Sequence, residues 1–268
     1  MKKTTYIMLG LMVAGVMCAM GVTAAFMRSH KIDVARYVMG GETVSLELDS
    51  PVHKVIYVNN DTTDGSVKVR GIKGLKVKES STATAATVDV ASDWARYLDC
   101  RVDSGVLTVS IDYGAMRRQY DTDIAKRRAY LTSEDFVIAC VNVPKGTLRE
   151  VGARSGTMYV DSLNTDVLLS KVDDRLVLNY SHIARLESRS KTINELKLED
   201  STIDKADLRS VAGRFTVTCT NDSSVIDSLY IDGVYRKNKN LRLKFKKANI
   251  RDFKFNPADK KTVVNIEY

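Results

Sequence analysis

The sequence predicts an all-β fold, much of it a β-solenoid, preceded by one N-terminal transmembrane helix. Three observations predict it. Past residue 40, apolar and polar residues alternate with period two in one short run after another. In the second half these runs recur, and the isoleucines that follow them, Ile183, Ile203, Ile226 and Ile250, lie 20, 23 and 24 residues apart. Residues 6–27 form a single uncharged stretch.

The first strands alternate cleanly: Val44 to Leu48, Val67 to Val69, Leu75 to Val77 and Val88 to Val90. Leu107 to Ile111 follows the turn Asp103-Ser104-Gly105. Asp61 to Gly65 and Gly71 to Gly74 are turn material. Asp93 to Leu98 reads as a short helical turn. Ala115 to Ala129 carries Arg117, Arg118, Lys126, Arg127 and Arg128 with few apolar residues, which predicts an exposed loop or long hairpin tip.

The second half reads as coils. Leu176-Val177-Leu178 leads to Ser181-His182-Ile183, and Leu196-Lys197-Leu198 to Ser201-Thr202-Ile203. Phe215-Thr216-Val217 leads to Ser224-Val225-Ile226, and Leu241 to Phe245 leads to Ala248-Asn249-Ile250. One such unit cannot bury its own inner face, but stacked units put the apolar positions into a continuous core. Ser181, Ser201 and Ser224 suit tight corners. An ordinary antiparallel sandwich also has regular strands, so that alternative stays open. The expected organisation is a membrane segment over residues 1–30, an N-terminal β region over 31–143, and solenoid coils with a basic cap over 144–268.

Lys2 and Lys3 precede the uncharged run, whose 22 residues would rise about 33 Å as a helix, close to the thickness of a bilayer core. The run exceeds the usual apolar region of a signal peptide, which favours a signal anchor. Val22-Thr23-Ala24 still offers a cleavage site, so a cleaved signal peptide is the alternative. Either reading places the β domain in the cell envelope, in the periplasm or outside the cell, and away from nucleic acid.

The chain has 268 residues, 28% of them charged, with a net charge of +8. That balance permits attraction to anionic lipid or acidic glycans without selecting between them. Cys18 lies in the uncharged run, leaving Cys100, Cys140 and Cys219. An odd count among strand-like neighbours reads as small buried residues, with a Cys100–Cys140 bridge as the alternative in an oxidising compartment.

The sequence lacks the residue spacings of the common catalytic and metal sites. The histidines are His30, His53 and His182, with no HExxH, no Cys-x-x-Cys and no phosphate-binding glycine loop. Ser181 and His182 are neighbours in sequence, which does not make a nucleophile–base pair. Aligning the coils puts Asn179, Glu199 and Lys246 in one phase and Tyr180, Asp200 and Lys247 in the next, so no ladder of carboxylates forms. No cofactor or metal is expected. The last coil is the most basic part, and Arg242, Lys244, Lys246, Lys247 and Arg251 are its candidate polyanion-binding residues. A charged, solvated cap that protects a sheet edge explains the same residues.

The strand order resembles the auto-transporter adhesin, head GIN domain family of Bacteroidetes envelope proteins. Three stretches carry the resemblance: Leu75 to Ser80 with Val88 to Ala91; Ser104-Gly105-Val106-Leu107-Thr108-Val109-Ser110; and Val137 to Pro144 with Leu148 to Val151 and Ser155-Gly156. It covers roughly residues 44 to 210. It implies a right-handed, β-helix-like solenoid. The chain departs from the family in its later coils, where Ser, Asp and Lys replace most turn glycines. The function expected is that of a non-enzymatic, membrane-tethered envelope protein, adhesin-like or a scaffold, with a protein or glycan partner. The alternatives are a polysaccharide-binding or polysaccharide-cleaving solenoid, and a polyanion binder acting through the basic C-terminal face.

Overall fold

Alternating burial along nearly every strand is what divides this chain into two sheets around one core. The structure, a computed structural model, describes residues 16–17, 20, 34–59, 67–70, 74–121, 128–133, 137–190, 192–233, 240–256 and 263–267. The expected span over residues 1–30 lies almost wholly outside these. Among the described residues no helix is long and apolar enough to cross a membrane.

The strands before the coils are β1 (Val34–Met39), β2 (Thr43–Glu47), β3 (Lys54–Val58), β4 (Val67–Arg70), β5 (Gly74–Ser80), β6 (Thr87–Ala91), β7 (Leu98–Asp103), β8 (Val106–Ile111), β9 (Arg128–Ser133) and β10 (Val137–Pro144). The coils follow as β11 (Glu150–Arg154), β12 (Thr157–Asp161), β13 (Asn164–Val172), β14 (Arg175–Asn179), β15 (His182–Ser188), β16 (Glu195–Glu199), β17 (Thr202–Leu208), β18 (Arg214–Cys219), β19 (Val225–Asp232), β20 (Asn240–Lys246), β21 (Asn249–Asn256) and β22 (Val263–Glu267). Two helices, α1 (Ser92–Ala95) and α2 (Tyr113–Asp121), interrupt the first group.

From β11 onward the chain alternates between sheets. Even-numbered strands β12 to β22 stack in a ten-stranded sheet, and odd-numbered strands β11 to β21 in a nine-stranded one. Each strand pairs in parallel with the strand two places on, so the unit of the fold is a coil. The four spaced isoleucines fall on one ladder: Ile183 faces Ile203, Ile203 faces Ile226, and Ile226 faces Ile250. Ile183, Ile203 and Ile226 are essentially fully buried, each burial being worth about 1.5–3 kcal/mol. Strands β3, β5, β8 and β10, from before residue 144, belong to these same two sheets.

The odd-numbered coil strands from β13 onward bend once. In β15, His182, Ala184 and Arg185 are not buried while Ile183, Leu186 and Ser188 are. Two successive outward residues put a corner inside the strand. A second corner sits between the sheets, where Ser162, Tyr180, Asp200 and Lys247 adopt positive φ of 46° to 57°. After Tyr180 and Asp200 the next residue is a small buried serine, Ser181 or Ser201, and buried Ser224 holds the equivalent place one coil further on. Each hydroxyl accepts a backbone N–H from the coil before: Leu163 to Ser181 at 3.1 Å, Ser181 to Ser201 at 3.0 Å and Ser201 to Ser224 at 3.5 Å. The corner is therefore laced, not merely accommodated.

The N-terminal end is closed by antiparallel strands. β2 and β6 extend the ten-stranded sheet beyond β10, and β7 pairs antiparallel with β8 at the edge of the other. The β7–β8 turn has Ser104 at φ 50° and Gly105 at φ 77°, the two left-handed residues of a tight hairpin. A side chain at Gly105 would also collide with the His53 ring. Trp94 of α1 is buried beneath this cap. β1, β9 and β4 form a small separate parallel sheet.

One expectation is corrected. Part of the stretch expected to be an exposed loop or long hairpin tip, Ala115 to Ala129, is helical. The side-chain oxygen of Asp112 accepts the N–H of Ala115 at 2.9 Å, an N-terminal cap. Met116 is fully buried against the core. Residues 122–127 lie outside the described residues.

Candidate functional site

The basic residues singled out by sequence do not share one face. Arg242, Lys244 and Lys246 alternate with buried Leu241, Leu243 and Phe245 along β20, so they project from the outer face of the ten-stranded sheet. Arg251 lies on β21 in the other sheet, and Lys247 occupies the turn between them. Glu267 of β22 holds both Arg242, at 3.1 Å, and Lys244, at 3.4 Å. Arg251 pairs with Asp227 of the neighbouring coil at 2.9 Å. Arg214 stacks directly on Arg242 across β18 and β20. Arg236, Lys237 and Lys239 lie outside the described residues.

A more enclosed feature lies on the outer face of the nine-stranded sheet. There, strands β8, β3, β11, β13 and β15 run side by side. Their outward residues and the turns that follow form a groove of about 700 Å³. Half-buried Ile56 and Val58 line it, and Gly152, lacking a side chain, leaves a depression between them and Lys171. Lys54, Arg154, Lys171 and Arg189 surround it, against only two carboxylates, Glu150 and Asp173. Thr108, Ser190 and Thr192 add hydroxyls.

Glu150 is the hub. Lys54 and Lys171, from the strands on either side of it, both reach its Oε1 at 2.9 Å. Burial on its own would raise the carboxyl pKa, but hydrogen bonds from Lys171 and Lys54, with their charges, hold it below the usual carboxylate value. Asp173 accepts the Ser190 hydroxyl at 2.8 Å. Arg189 reaches Glu187 only at 3.8 Å. Arg154 is exposed and forms no ion pair with any described residue.

A second groove, about 510 Å³, continues along the same face over β15, β17, β19 and β21. Most of its charges neutralise one another, and exposed Arg209 is the cation of its lining that forms no ion pair with a described residue. Arg185 meets Glu187 at 3.1 Å and Asp207 at 3.2 Å, and Lys205 meets Asp207 at 3.3 Å. The first groove has the larger cationic excess, four cations against two carboxylates, where the second has four against three.

Sequence reasoning missed this groove. Lys54, Gly152, Lys171 and Arg189 are scattered along the chain and converge only through strand stacking. The repeat itself held a signal. Extended one coil towards the N-terminus, it sets Ser170 on Ser188 and so brings Lys171 next to Arg189.

Cys100, on β7, and Cys140, on β10, belong to different sheets and are both free thiols, as is buried Cys219. Burial, and secondarily the charge of Asp99, pushes the Cys100 thiol up to about 11. Burial raises Cys140 and Cys219 as well. None of the three is an activated nucleophile. His182, exposed, shares a hydrogen bond with Thr202 at 2.7 Å, while Ser181 is turned into the corner. Among the described residues no group of His, Cys, Asp and Glu is placed to hold a metal ion.

Comparison with known proteins gives neighbours in structure alone. No protein-family model matches the chain, and no curated protein matches it. A candidate adhesin from Bacteroides fragilis aligns over 86% of this chain and 99% of its own, with 13% identity and a TM-score of 0.43. A candidate lipid-binding protein from Parabacteroides distasonis covers 87% of this chain and 100% of its own, at 10% identity and a TM-score of 0.36. A candidate adhesin from Parabacteroides merdae covers 83% and 99%, at 13% identity and a TM-score of 0.36. Likeness at that level fixes neither family nor ligand.

Proposed function

We propose that this chain is a non-enzymatic binding module of the cell envelope, an adhesin-like solenoid that presents the outer face of its nine-stranded sheet to a partner. One observation carries the reading. The carboxylates of the larger groove are already engaged, Glu150 by two lysines and Asp173 by a serine. A glycan-hydrolysing site of the common kind needs a carboxyl that keeps a proton near neutral pH, with a second poised opposite. Glu150 is pushed the other way, its pKa held low by its ammonium partners. The residues are arranged to hold charge in place, which suits recognition.

In this reading the uncharged run over residues 6–27 tethers the chain as a signal anchor, with the β domain in the periplasm or outside the cell. The coil takes the right-handed sense favoured for parallel crossover connections.

Protease shaving of intact cells tests the placement. Digestion from outside, or digestion only after outer-membrane permeabilisation, supports an envelope protein. Protection under both conditions overturns it. Incubating the protein with a panel of acidic polysaccharides tests the chemistry. Unchanged polymer length is expected, and shortening would establish an enzyme instead.

A further inference from the structure

Three features of the groove on β8, β3, β11, β13 and β15 narrow what fits it. The first is length. Its five strands are adjacent in one parallel sheet, so at the usual strand spacing they span about 19 Å along the solenoid axis. A cleft of that length and about 700 Å³ accommodates a short chain molecule lying across the strands.

The second is charge. Four cationic side chains face two carboxylates, and the lysines are bound to Glu150. That leaves the guanidinium groups of Arg154, on the middle strand, and Arg189, just past the outermost strand β15, as the ones with donors to offer. A guanidinium presents a planar fork of donors that matches a carboxylate in two parallel hydrogen bonds.

The third is the character of the lining. It includes no aromatic ring, so stacking against a sugar or base face cannot supply the affinity. Thr108, Ser190, Thr192 and the two carboxylates offer acceptors and donors for hydroxyl groups. Anionic groups recognised by arginine together with many hydroxyls describe an acidic carbohydrate.

Resting on the reading of the chain as a binding module, we propose that this groove binds an acidic oligosaccharide, with Arg154 and Arg189 pairing its carboxylates and the Lys54–Glu150–Lys171 cluster, on Ile56, Gly152 and their neighbours, setting the floor against which it lies. The second groove, with four cations set against three carboxylates, is not part of this site.

Isothermal titration of the full chain with a tetramer of galacturonic acid tests it. The comparison probes are maltotetraose, which is neutral, and inorganic sulfate. The acidic tetramer is expected to bind, and to bind more tightly than either. Arg154→Ala with Arg189→Ala is expected to weaken it at least about ten-fold, a loss of about 1.4 kcal/mol. Arg154→Lys with Arg189→Lys keeps the charge but loses the fork, and is expected to fall between the two. Lys246→Ala with Lys247→Ala, in the last coils and away from the groove, is expected to change nothing. Both arginines are at the surface, and an unchanged circular dichroism spectrum confirms that the variants fold. Equal affinity of the double alanine variant and the native chain would overturn the assignment, as would failure of the tetramer to outcompete sulfate and maltotetraose. Shortening of the tetramer during the titration, followed by mass spectrometry, would instead overturn the non-enzymatic reading and leave the site where it is.

Discussion

The buried hydroxyl of Ser201 accepts the backbone N–H of Ser181, one coil away, at 3.0 Å, and donates to the carbonyl of Glu199 in its own coil at 2.8 Å. Ser181 repeats the arrangement towards Leu163 and Asn179. These hydroxyls do the work that a ladder bond does within a strand, at the one place where the chain turns and the ladder is interrupted. Ser201→Ala removes the acceptor and leaves the Ser181 N–H buried without a partner, at a cost of about 1–3 kcal/mol. The check is the urea midpoint at constant slope. Asp222→Ala, at an exposed turn position, is expected to stay within about 0.5 kcal/mol of the native chain.

Glu150 links the groove to pH. Its folded pKa lies below the ordinary value, which is about 4.3 in an unfolded chain. A depressed carboxyl contributes stability that is present above the unfolded pKa and is lost as pH falls through the folded one. The native chain is therefore expected to lose this contribution below about pH 4. Glu150→Gln is expected to be less stable than the native chain at pH 7, with the gap closing in acid. Thermal midpoints of both proteins between pH 7 and pH 3 measure this, and a gap that stays constant across the range would contradict it.

The thiols make a third test. A pKa of about 11 for Cys100, against an ordinary 9.0, lowers its thiolate fraction at pH 8 roughly a hundred-fold. Native protein is expected to react slowly with a disulfide reagent at all three described cysteines, Cys219 slowest because it is buried. In denaturant all three are expected to react at the rate of a free thiol. Mass spectrometry without reduction is expected to find no Cys100–Cys140 bridge.

Much of the fold was legible because a solenoid writes its third dimension into sequence spacing. Ile183, Ile203, Ile226 and Ile250 recur along the chain and stack in space. Tyr180, Asp200 and Lys247, aligned in phase by the repeat, share the same left-handed corner conformation. Other parts were hidden for physical reasons. The corner at Ala184 and Arg185 places two successive residues outward, which breaks the period-two signal within a single strand. The Asp112 cap was overlooked beneath the arginines of the following helix, although an aspartate three residues before Ala115 is a recognisable start signal. The groove depends on β3 and β8 joining the sheet beside β11. That pairing crosses about 100 residues of chain, from Lys54 to Glu150, and no local pattern encodes it. The basic residues of the last coil were legible as charges but not as faces, since strand parity and the change of sheet divide Arg242 from Arg251.

Glu267 restrains the basic patch at the C-terminal end of the ten-stranded sheet. It is the carboxylate that holds Arg242 and Lys244, while Arg214 lies alongside. Glu267→Gln is expected to increase retention on an immobilised polyanion, with elution shifted to higher salt. The stability cost is expected to be no more than about 1 kcal/mol, because both pairs are largely exposed. Unchanged elution would mean that these cations do not act together as an anion-attracting surface.

The two ends of the solenoid differ, and the single tryptophan reports on only one of them. At the N-terminal end, antiparallel β2, β6 and β7 cover the core, and Trp94 is buried beneath them. At the other end β21 and β22 are the outermost described strands of their sheets. Ile250, Phe253, Phe255 and Val264 are only half-buried there, and Val263 and Ile266 are exposed. In a stack where each coil contacts only its neighbours, stability is a sum of local terms, and an end coil with one partner is the weakest. Hydrogen exchange is therefore expected to be fastest in β21 and β22 and slowest in β12 to β17. In urea the far-UV circular dichroism is expected to begin falling before Trp94 fluorescence changes, since the outer C-terminal coil opens first. Truncating the paired rings by Phe253→Ala, whose partner Phe245 lies at a centroid distance of 5.3 Å, is expected to widen that separation. Coincident transitions for both probes, in the native chain and in the variant, would mean that the coils unfold as one cooperative unit and that the exposed end is no weaker than the capped one.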